Sequence, residues 1–570
     1  MLVVFAVAFC ALCASAGAAR FYTPDYGGSS PEVIGGFDLG ADGSLTPIAG
    51  SPFPGGESTG GLWGLAFTPD GSAAVSAFYF AGGVQGYSLP PSGVFGFTDF
   101  IPAVSTTGEV VAPDGRFAFA GTREFGGSSA EGILRLAIGA GGSLTKLSPN
   151  AGGSEEFGDL AITPDGRYLF AAQLGQIQRF AIGADGSLTP LGARPAPSAW
   201  FLATSPDGRF LFLETNEGVA TLAIQPDGQL NEVGPDLVIP GFAARLFAVA
   251  PDGRHLYLAD YNRDAIDTVA IAEDGTPTFA GETPVIGRPE SVGVSPDGRY
   301  LVFYEGDTSE DGIGVAAIGP DGTPTLLPSF VPWETGEPER LVFQPQPTPV
   351  ARFSATAAVS GAATRFHAGA SERAARYEWS FGDGAVLADG GPTPTHTYSS
   401  PGTYQVTLVV TDAQGCSVRQ VYNGQTTLCP GGAIARTVGS ATVAPKVVLP
   451  PNPKPVIRKL EVVPAKFAPK MRGVKPGKVK LGTTFRYRVS EASTVRFKIE
   501  RKKGKRFKKL GSRPQSVKAG ANKLKWNGKL KGKPLKPGRY RATVVATDAD
   551  GGRSAPKTVG FRILSVPPPR

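Results

Sequence analysis

The stretch ITPDGRYLFAAQLGQIQRFAIGADGSLTP, residues 162–190, decides the fold of most of this chain. It reads as a short apolar strand, a Pro-Asp-Gly turn, a second strand, a loop, a third strand, an Asp-Gly turn and a short fourth strand. Proline presets a negative φ and glycine tolerates a positive φ, so each turn tripeptide favours a tight reversal between antiparallel strands. The stretch therefore predicts one four-stranded antiparallel unit.

The same unit recurs along residues 20–345. Its Pro-Asp-Gly turns place aspartates at intervals of 42 to 51 residues, at Asp70, Asp114, Asp165, Asp207, Asp252 and Asp297. A degenerate seventh copy carries Gln346 at the aspartate position. Seven such repeats predict an all-β fold, a seven-bladed β-propeller. Residues 20–28 resemble a second strand without a first, and residues 340–343 supply the missing one, so we expect both ends to build one blade and close the ring.

These repeats resemble the seven-bladed lactonase (6-phosphogluconolactonase-like) family and the related secreted YVTN-type propellers. The resemblance implies the propeller architecture, whereas chemistry must be argued from the site. The lactonase pattern carries an Arg-His pair ahead of the first strand, but the nearest segments here, GEPERLVF (336–343) and GRPESVGV (287–294), lack the histidine. His255 follows a Pro-Asp-Gly turn, which places it at the opposite end of its blade. The sequence leaves enzymatic activity open and favours its absence.

The residues that enter the inner strands are the candidate ligand site. Two tryptophans, two arginines and two glutamates could line a mouth for a sugar or a cation: Trp63, Trp200, Arg245, Glu290, Glu339 and Arg340. Glu155, Glu156 and Asp159 add carboxylates beside one inner strand. The alternative is that all of them are ordinary residues of an acidic rim. No motif nominates a catalytic residue, and we expect no metal and no cofactor.

Residues 1–19, MLVVFAVAFCALCASAGAA, resemble a secretory signal peptide, because an apolar run is followed by small residues ending in Ala-x-Ala. The alternative is a buried N-terminal strand or helix. No other apolar run approaches the roughly 20 residues that span a bilayer. After cleavage two cysteines remain, Cys416 and Cys429, and an oxidising compartment favours a disulfide between them over two free buried thiols.

A second resemblance covers residues 346–445. YEWSFGDG (377–384) followed by HTYSSPGTYQVTLVVTD (396–412) is similar to the PKD domain, an Ig-like β-sandwich of extracellular proteins. The resemblance implies core positions at Trp379, Tyr404, Val406 and Leu408 and turn glycines at Gly382 and Gly384. GCSVRQVYNGQTTLC (415–429) is an insertion before the last strand, which the expected disulfide would close.

A Pro-rich linker, residues 446–456, leads to a basic block at 457–565. KPGRYRATVVATD (536–548) repeats the ending of the PKD-like segment, so we expect a second Ig-like β-sandwich. Strand alternation agrees, since Phe485 and Tyr487 alternate with Arg486 and other cations. The block resembles the basic Ig-like modules that end many secreted actinobacterial proteins.

Charge divides the chain as sharply as the repeats do. The net charge is −24 over residues 20–345, +1 over 346–445 and +30 over 446–570. The candidate polyanion-binding residues lie in one predicted hairpin: Arg501, Lys502, Lys503, Lys505, Arg506, Lys508 and Lys509. An anionic cell-wall polymer is the expected partner, with attraction that weakens as salt rises. Nucleic acid is a weaker candidate, and solubility or docking onto the acidic propeller is the alternative.

The composition, repeats and resemblances together predict a secreted, extracellular binding protein associated with the cell surface or wall. The propeller is the expected recognition head for an unknown carbohydrate or protein, the PKD-like domain a spacer, and the basic sandwich an electrostatic tether. The alternative is an exported lactonase-like hydrolase that acts at the propeller mouth. The sequence leaves the oligomeric state open.

Overall fold

The computed structural model describes residues 19–565, except 26–31, 57–59, 81, 197–199, 307–310, 334–335, 448–451, 475–476 and the side chains of 244 and 245. Apart from its last residue, the predicted signal peptide lies outside the described residues. Within them, the helices are two single turns of 3-10 helix, Ala140–Gly142 and Ala433–Ala435. Neither is long or apolar enough to cross a membrane.

The repeats fold into the blades of a propeller, and the part of the chain that the structure describes contains seven of these antiparallel sheets. From the inner to the outer strand, the first four blades are Val342–Phe343, Ala19–Pro24, Val33–Leu39 and Leu45–Pro47 (blade 1); Ala66–Phe67, Ala73–Phe78, Gly83–Ser88 and Gly96–Pro102 (blade 2); Thr106–Val111, Phe117–Thr122, Ile133–Ile138 and Leu144–Ala151 (blade 3); and Leu160–Ile162, Tyr168–Gln173, Gln176–Ile182 and Leu188–Pro195 (blade 4).

The last three blades follow the same plan. They are Leu202–Thr204, Phe210–Thr215, Gly218–Ile224 and Leu230–Glu232 (blade 5); Ala244–Val249, His255–Asp260, Ala265–Ile271 and Pro277–Pro284 (blade 6); and Arg288–Val294, Tyr300–Gly306, Gly312–Ile318 and Pro324–Pro332 (blade 7). Short strands extend two blades at their edges, Phe53–Pro54 in blade 1 and Leu237–Val238 in blade 5.

Blade 1 closes the ring, which confirms the predicted architecture. Val342 pairs with Tyr22 and Phe343 with Phe21, so a strand from the end of the repeats becomes the inner strand of the first blade. The rings of Phe21 and Phe343 lie 5.4 Å apart, in a core that blade 1 shares with blade 7. Closure joins the first and last repeats without leaving an open end to the array.

The Pro-Asp-Gly turns all follow inner strands, so they lie together at one end of the central channel. In blade 4 the Asp165 carboxylate accepts hydrogen bonds from the Thr163 hydroxyl (2.5 Å) and the Arg167 amide (3.0 Å). Gly166 follows with a φ of +71°, which an L-residue rarely adopts. We call this end of the channel the turn end, and the opposite end, where the chain enters the inner strands, the mouth.

Residues after the propeller form the first sandwich, with two sheets over one core. Its strands are Ser354–Ala355, Ala363–His367 and Thr395–Thr397 in one sheet, and Ala358–Val359, Arg436–Ala444, Gly402–Thr411, Arg376–Ser380 and Val386–Leu387 in the other. Trp379, Val406 and Leu408 are fully buried in its core, and Tyr404 packs against that core. Propeller and first sandwich together form one compact unit, Met1–Lys446.

Val447–Arg570 form a second compact unit, the basic sandwich, with its own core. Its strands are Ile457–Val463, Thr483–Val489 and Gly520–Trp526 in a three-stranded sheet, Lys466–Phe467, Lys557–Ile563, Gly538–Thr547, Ser493–Lys503 and Arg506–Val517 in a five-stranded sheet, and Lys529–Leu530 with Lys533–Pro534 in a small hairpin. The strand order matches that of the first sandwich, and Phe485, Tyr487 and Phe497 are buried as the alternation predicts.

Candidate functional site

A loop of the first sandwich enters the propeller channel from the turn end. This insertion loop, residues 415–429, is closed at its base by a disulfide between Cys416 and Cys429. Its body is a two-stranded hairpin in which Val421–Tyr422 pairs with Thr427–Cys429. The channel therefore contains a segment of the neighbouring domain, anchored outside it by the sandwich and the disulfide.

Side chains of the insertion loop are buried between the blades. Tyr422 packs in the core that blades 3 and 4 share, and its hydroxyl donates a hydrogen bond to the Val111 carbonyl at 3.0 Å. Leu428 packs in the core of blades 7 and 1. Gln420 Nε2 donates at 3.1 Å to the carbonyl of Pro113, a Pro-Asp-Gly turn residue, which identifies the turn end as the side of entry.

The tip of the loop is a preformed turn that lies against inner-strand backbone. The side-chain oxygen of Asn423 accepts the Gln425 amide at 3.1 Å. Gly424 has a φ of +97°, and a Cβ at this position would lie only 2.5 Å from the Thr204 nitrogen. Its carbonyl accepts the Ile162 amide at 2.7 Å. Glycine is required here because both the backbone angle and the close approach exclude a side chain.

The carboxamide of Gln425 meets a buried ion pair inside the channel. Arg340 Nη2 donates to Asp159 Oδ1 at 2.8 Å, and both side chains are largely buried. Gln425 Nε2 donates to Asp159 Oδ2 at 2.8 Å and to the Leu202 carbonyl at 3.1 Å. Gln425 Oε1 accepts a hydrogen bond from Arg340 Nη1. The Gln425 amide nitrogen thus donates to a carboxylate and a carbonyl, and its oxygen accepts a hydrogen bond from a guanidinium.

Glu109 is a second buried carboxylate in the channel. It is 5% exposed, and its Oε2 has no hydrogen-bond partner among the described residues. Burial raises the pKa of Glu109 to about 8; Arg340 opposes this rise and Asp159 adds to it. Burial, with a further contribution from Asp159, also raises the pKa of Glu214 to about 8. Burial therefore favours the protonated, uncharged form of both glutamates.

The space left around these groups is small. A cavity of about 60 Å³ lies among inner strands, Glu109, Arg340 and Gln425. Ligand pockets for small molecules usually measure about 300–1,000 Å³. A larger groove, of about 310 Å³, lies between the outer parts of blades 4 and 5, where Arg194 and Glu232 form an ion pair at 2.9 Å. The cavity beside Glu109, Arg340 and Gln425 therefore has room for solvent but not for a sugar.

Aromatic rings form a continuous arc at the mouth. Trp63 stacks on Tyr79 with centroids 5.1 Å apart, Tyr79 meets Phe80 at 4.8 Å, and Phe80 meets Phe125 at 5.8 Å. Phe80 and Phe125 are each 44% exposed. We call these four residues the aromatic arc. It presents apolar ring surface on a propeller whose sequence is otherwise strongly acidic.

Trp200 lies at the mouth farther round the ring. Its side chain is 49% exposed, and the Arg123 guanidinium lies 5.7 Å from its ring centroid. Glu156 lies 3.9 Å from the Arg123 side chain. The indole of Trp200 thus lies beside a cation, and about half of its surface remains open to solvent.

The predicted mouth residues whose side chains are described lie at different places along the channel. The structure places Trp63 and Trp200 at the mouth, Glu290 in the inner strand Arg288–Val294, Glu339 buried beside the closing strand, and Arg340 in the channel. Arg245 lies in the inner strand of blade 6, but its side chain is outside the described residues. Arg340 differs from the expectation because its side chain binds Asp159 and Gln425 instead of lining the rim.

Two of the channel residues, Glu109 and Gln425, were absent from the predicted site. Glu109 carried a weak signal, because it is an acid within the short inner strand Thr106–Val111, whose other side chains are small or apolar. The sequence around Gln425 carried no signal of a functional role. Its place depends on where the insertion loop docks, and no local pattern in the loop specifies a target surface.

The basic sandwich presents a lattice of cations on its three-stranded sheet. Arg458 lies directly opposite Arg488, and Arg486 lies directly opposite Lys523. Lys525 continues the exposed face, and none of these five cations forms an ion pair with a described residue. We call these five residues the cation lattice. Like charges directly opposite one another repel. Glu461, opposite Arg486, is the only acid in these three strands, so the five cations leave the face with a net positive charge.

The five-stranded sheet differs because its acid, Glu500, forms ion pairs with neighbouring cations. Glu500 is buried between Lys498 (2.9 Å) and Arg541 (2.8 Å). The hydrogen bond from Arg541 lowers the pKa of Glu500 to about 2, with Lys498 acting in the same direction. The predicted polyanion site lies at the end of this sheet, where its residues form a hairpin. Six of the seven side chains are exposed, whereas Arg501 donates to the Pro537 carbonyl at 2.7 Å.

Comparison with sequence families identifies the two folds of the first unit. The family of lactonases with a seven-bladed β-propeller matches residues 172–283 and 201–323, and the PKD domain family matches residues 346–425. The chain therefore carries a lactonase-type seven-bladed β-propeller followed by a PKD domain. No curated protein matches the chain significantly.

Solved structures similar to this chain include lactonase-like propellers. A candidate 6-phosphogluconolactonase of Bacteroides uniformis is 19% identical, covering 57% of this chain and 99% of that chain, with a TM-score of 0.49. The periplasmic gluconolactonase of Pseudomonas aeruginosa is 24% identical, covering 57% and 99%, with a TM-score of 0.47. A protein from Lactobacillus plantarum is 17% identical with a TM-score of 0.48, covering 57% and 99%.

Proposed function

We propose that this protein is a secreted binding protein held at the cell surface or wall. The propeller is the recognition head, the PKD domain is the stem that carries it, and the basic sandwich is the tether. The recognised ligand is a carbohydrate or a protein that binds at the mouth. The tether binds an anionic polymer.

The observation that carries this proposal is the cation lattice. Its arginines and lysines lie on one sheet face, where Arg458 lies opposite Arg488, and Arg486 lies opposite Lys523 on one side and Glu461 on the other. Such a face repels itself until an anion binds, so a chain of phosphates or carboxylates lowers its energy. Attraction of this kind is diffuse and long-ranged, which suits retention on a polymer better than recognition of one small molecule.

Recognition by the head is assigned to the mouth because the insertion loop fills the other end of the channel. The aromatic arc and Trp200 offer exposed rings, which contribute large contact areas in binding sites. The narrow channel cavity provides no comparable surface. This assignment uses Trp63 and Trp200 from the predicted site and adds the residues of the arc.

Cosedimentation with purified Gram-positive cell walls tests the tether. The full chain and residues 447–570, which form a compact unit with their own core, are mixed with walls that retain or lack their anionic polymers, across a salt series. We expect binding that requires the polymers and weakens steeply with salt. The double variant Arg486→Glu, Lys523→Glu is expected to lose most binding, and the matched reversal Lys536→Glu, Lys557→Glu to lose much less.

Absence of wall binding at low salt would overturn the tether and leave solubility or docking onto the acidic propeller as the reason for the charge. If both double variants lost wall binding equally, the cation lattice would not be a specific binding surface, and binding would depend only on the net charge of the domain.

A second candidate function is an exported lactonase-like hydrolase. The buried, protonated Glu109 beside Arg340 favours it, because a carboxyl of raised pKa can act as a general acid. Hydrolysis of simple sugar lactones by the full chain, abolished by Glu109→Gln, would replace the binding proposal. We expect no hydrolysis, because the cavity beside Glu109 is too small for such a substrate.

A further inference from the structure

The contacts of Gln425 have the form of ligand recognition. A primary carboxamide offers two N–H donors and one oxygen acceptor, and here Asp159, Leu202 and Arg340 engage both kinds of group. Asp159 is itself oriented by Arg340 and by the Leu202 amide, which donates to Oδ2 at 3.0 Å. Few side chains other than an amide could satisfy an acid and a guanidinium at the same time.

We infer that the propeller channel is a peptide-recognition site for a turn that carries a glutamine side chain. Its resident ligand is the insertion loop of this same chain. The PKD domain would then be bound by the propeller in cis, in addition to following it in sequence. This inference concerns the turn end of the channel and is independent of the binding proposed for the mouth.

Burial of polar groups argues that the contact is specific. Placing a carboxamide, a carboxylate and a guanidinium in the interior of a propeller is unfavourable unless every group finds a partner. A loop that only filled space would be expected to carry apolar side chains at its tip. The tip reads Asn-Gly-Gln-Thr instead, and its polar atoms bond to three different inner strands: Gly424 to Ile162, Gln425 to Leu202, and Thr426 Oγ1 to the Phe67 amide at 3.4 Å.

The loop is also organised before it binds. The disulfide closes its base, and Asn423 holds the turn through its side-chain oxygen. Such constraints lower the conformational entropy that binding would otherwise cost. A short cyclic peptide with the same sequence should therefore keep the bound shape outside the protein.

Binding in trans tests the inference. Residues 417–428 are replaced by a Gly-Ser linker in the otherwise full chain, and a synthetic disulfide-closed peptide of residues 415–430 is titrated into it by calorimetry. We expect saturable binding of one peptide per chain and none to the wild-type chain, whose channel is occupied. A Gln425→Glu peptide should bind at least about 100-fold more weakly, because its carboxylate would face Asp159.

A matched control changes the loop away from the channel. Val418 is 45% exposed, so a Val418→Ala peptide should bind within about twofold of the unmodified peptide. Should the shortened chain fail to fold, the full-length Gln425→Glu protein replaces it as the receptor, since its own loop should be displaced and the wild-type peptide should bind.

Two results would overturn the inference. One is a folded receptor, judged by its thermal melt, that binds no peptide at about 1 mM. The other is equal binding of the wild-type and Gln425→Glu peptides, which would show that the amide is not recognised. A wild-type dimer that becomes monomeric when the loop is replaced would support the recognition site, with the loop supplied by a second copy of the chain.

Discussion

At the scale of single residues, Glu109 makes the stability of the propeller depend on pH. The folded protein keeps this proton up to a pKa of about 8, whereas the unfolded chain releases it near the ordinary value of 4.5. The unfolded state therefore binds fewer protons between these values, and wild-type stability falls as pH rises through that window. Glu109→Gln should become more stable relative to wild type by roughly 2–5 kcal/mol at about pH 8.5. Thermal melts from pH 5 to 9 measure this, with Glu124→Gln as an exposed control; parallel curves for wild type and Glu109→Gln would contradict it.

Gly424 is the second single residue whose contribution to stability can be tested by substitution. Gly424→Ala adds a Cβ 2.5 Å from Thr204 N at a φ of +97°, so we expect a loss of about 2–4 kcal/mol in unfolding free energy. Gly391→Ala is the matched control, because Gly391 has a φ of +63° but no atom within 4 Å of the added carbon. It should lose only about 1 kcal/mol. Denaturant titration compares the two, and equal losses would show that the tip does not press on the inner strand.

At the scale of elements, the two sheets of the basic sandwich differ in the pairing of their charges: Glu500 forms ion pairs on the five-stranded sheet, whereas the cation lattice on the three-stranded sheet forms none with a described residue. Glu500 neutralises two cations on the five-stranded sheet, so Glu500→Gln should destabilise this unit by about 1–3 kcal/mol near neutral pH. Because the pKa of Glu500 is lowered to about 2, its contribution is present above 4.5 and is lost as pH falls toward 2. Melts of residues 447–570 from pH 2 to 6 should show this slope in wild type and not in Glu500→Gln. Glu461→Gln, an exposed acid on the other sheet, should retain it.

At the scale of the whole molecule, the chain consists of two compact units, of which the first contains both propeller and PKD domain. Calorimetry of the full chain should therefore show two thermal transitions, one of which coincides with that of isolated residues 447–570. Reduction of the disulfide should lower only the other transition, because Cys416 and Cys429 hold the loop that joins propeller to sandwich. Three transitions, with the PKD domain melting apart from the propeller, would contradict a joined first unit.

Prediction from sequence succeeded where the pattern was local or repeated. The Pro-Asp-Gly turns, the closing strand at residues 340–343 and the alternation around Phe485 all predicted elements that the structure contains, because turn geometry and side-chain period are properties of neighbouring residues. The candidate site was reached only in part. Trp63 and Trp200 lie at the mouth, whereas Arg340 binds Gln425, a residue far away in sequence for which no local pattern existed.

The sequence by itself determined the seven-bladed propeller, the two sandwiches and the separation of acidic from basic charge. Only the tertiary structure decided that the insertion loop enters the channel and that Asp159, Arg340 and Gln425 meet there. The physical reason is the separation along the sequence of the residues that each feature depends on. Turns and alternation follow from backbone sterics over a few residues, but docking of a loop depends on the shape and polarity of a surface assembled from several blades.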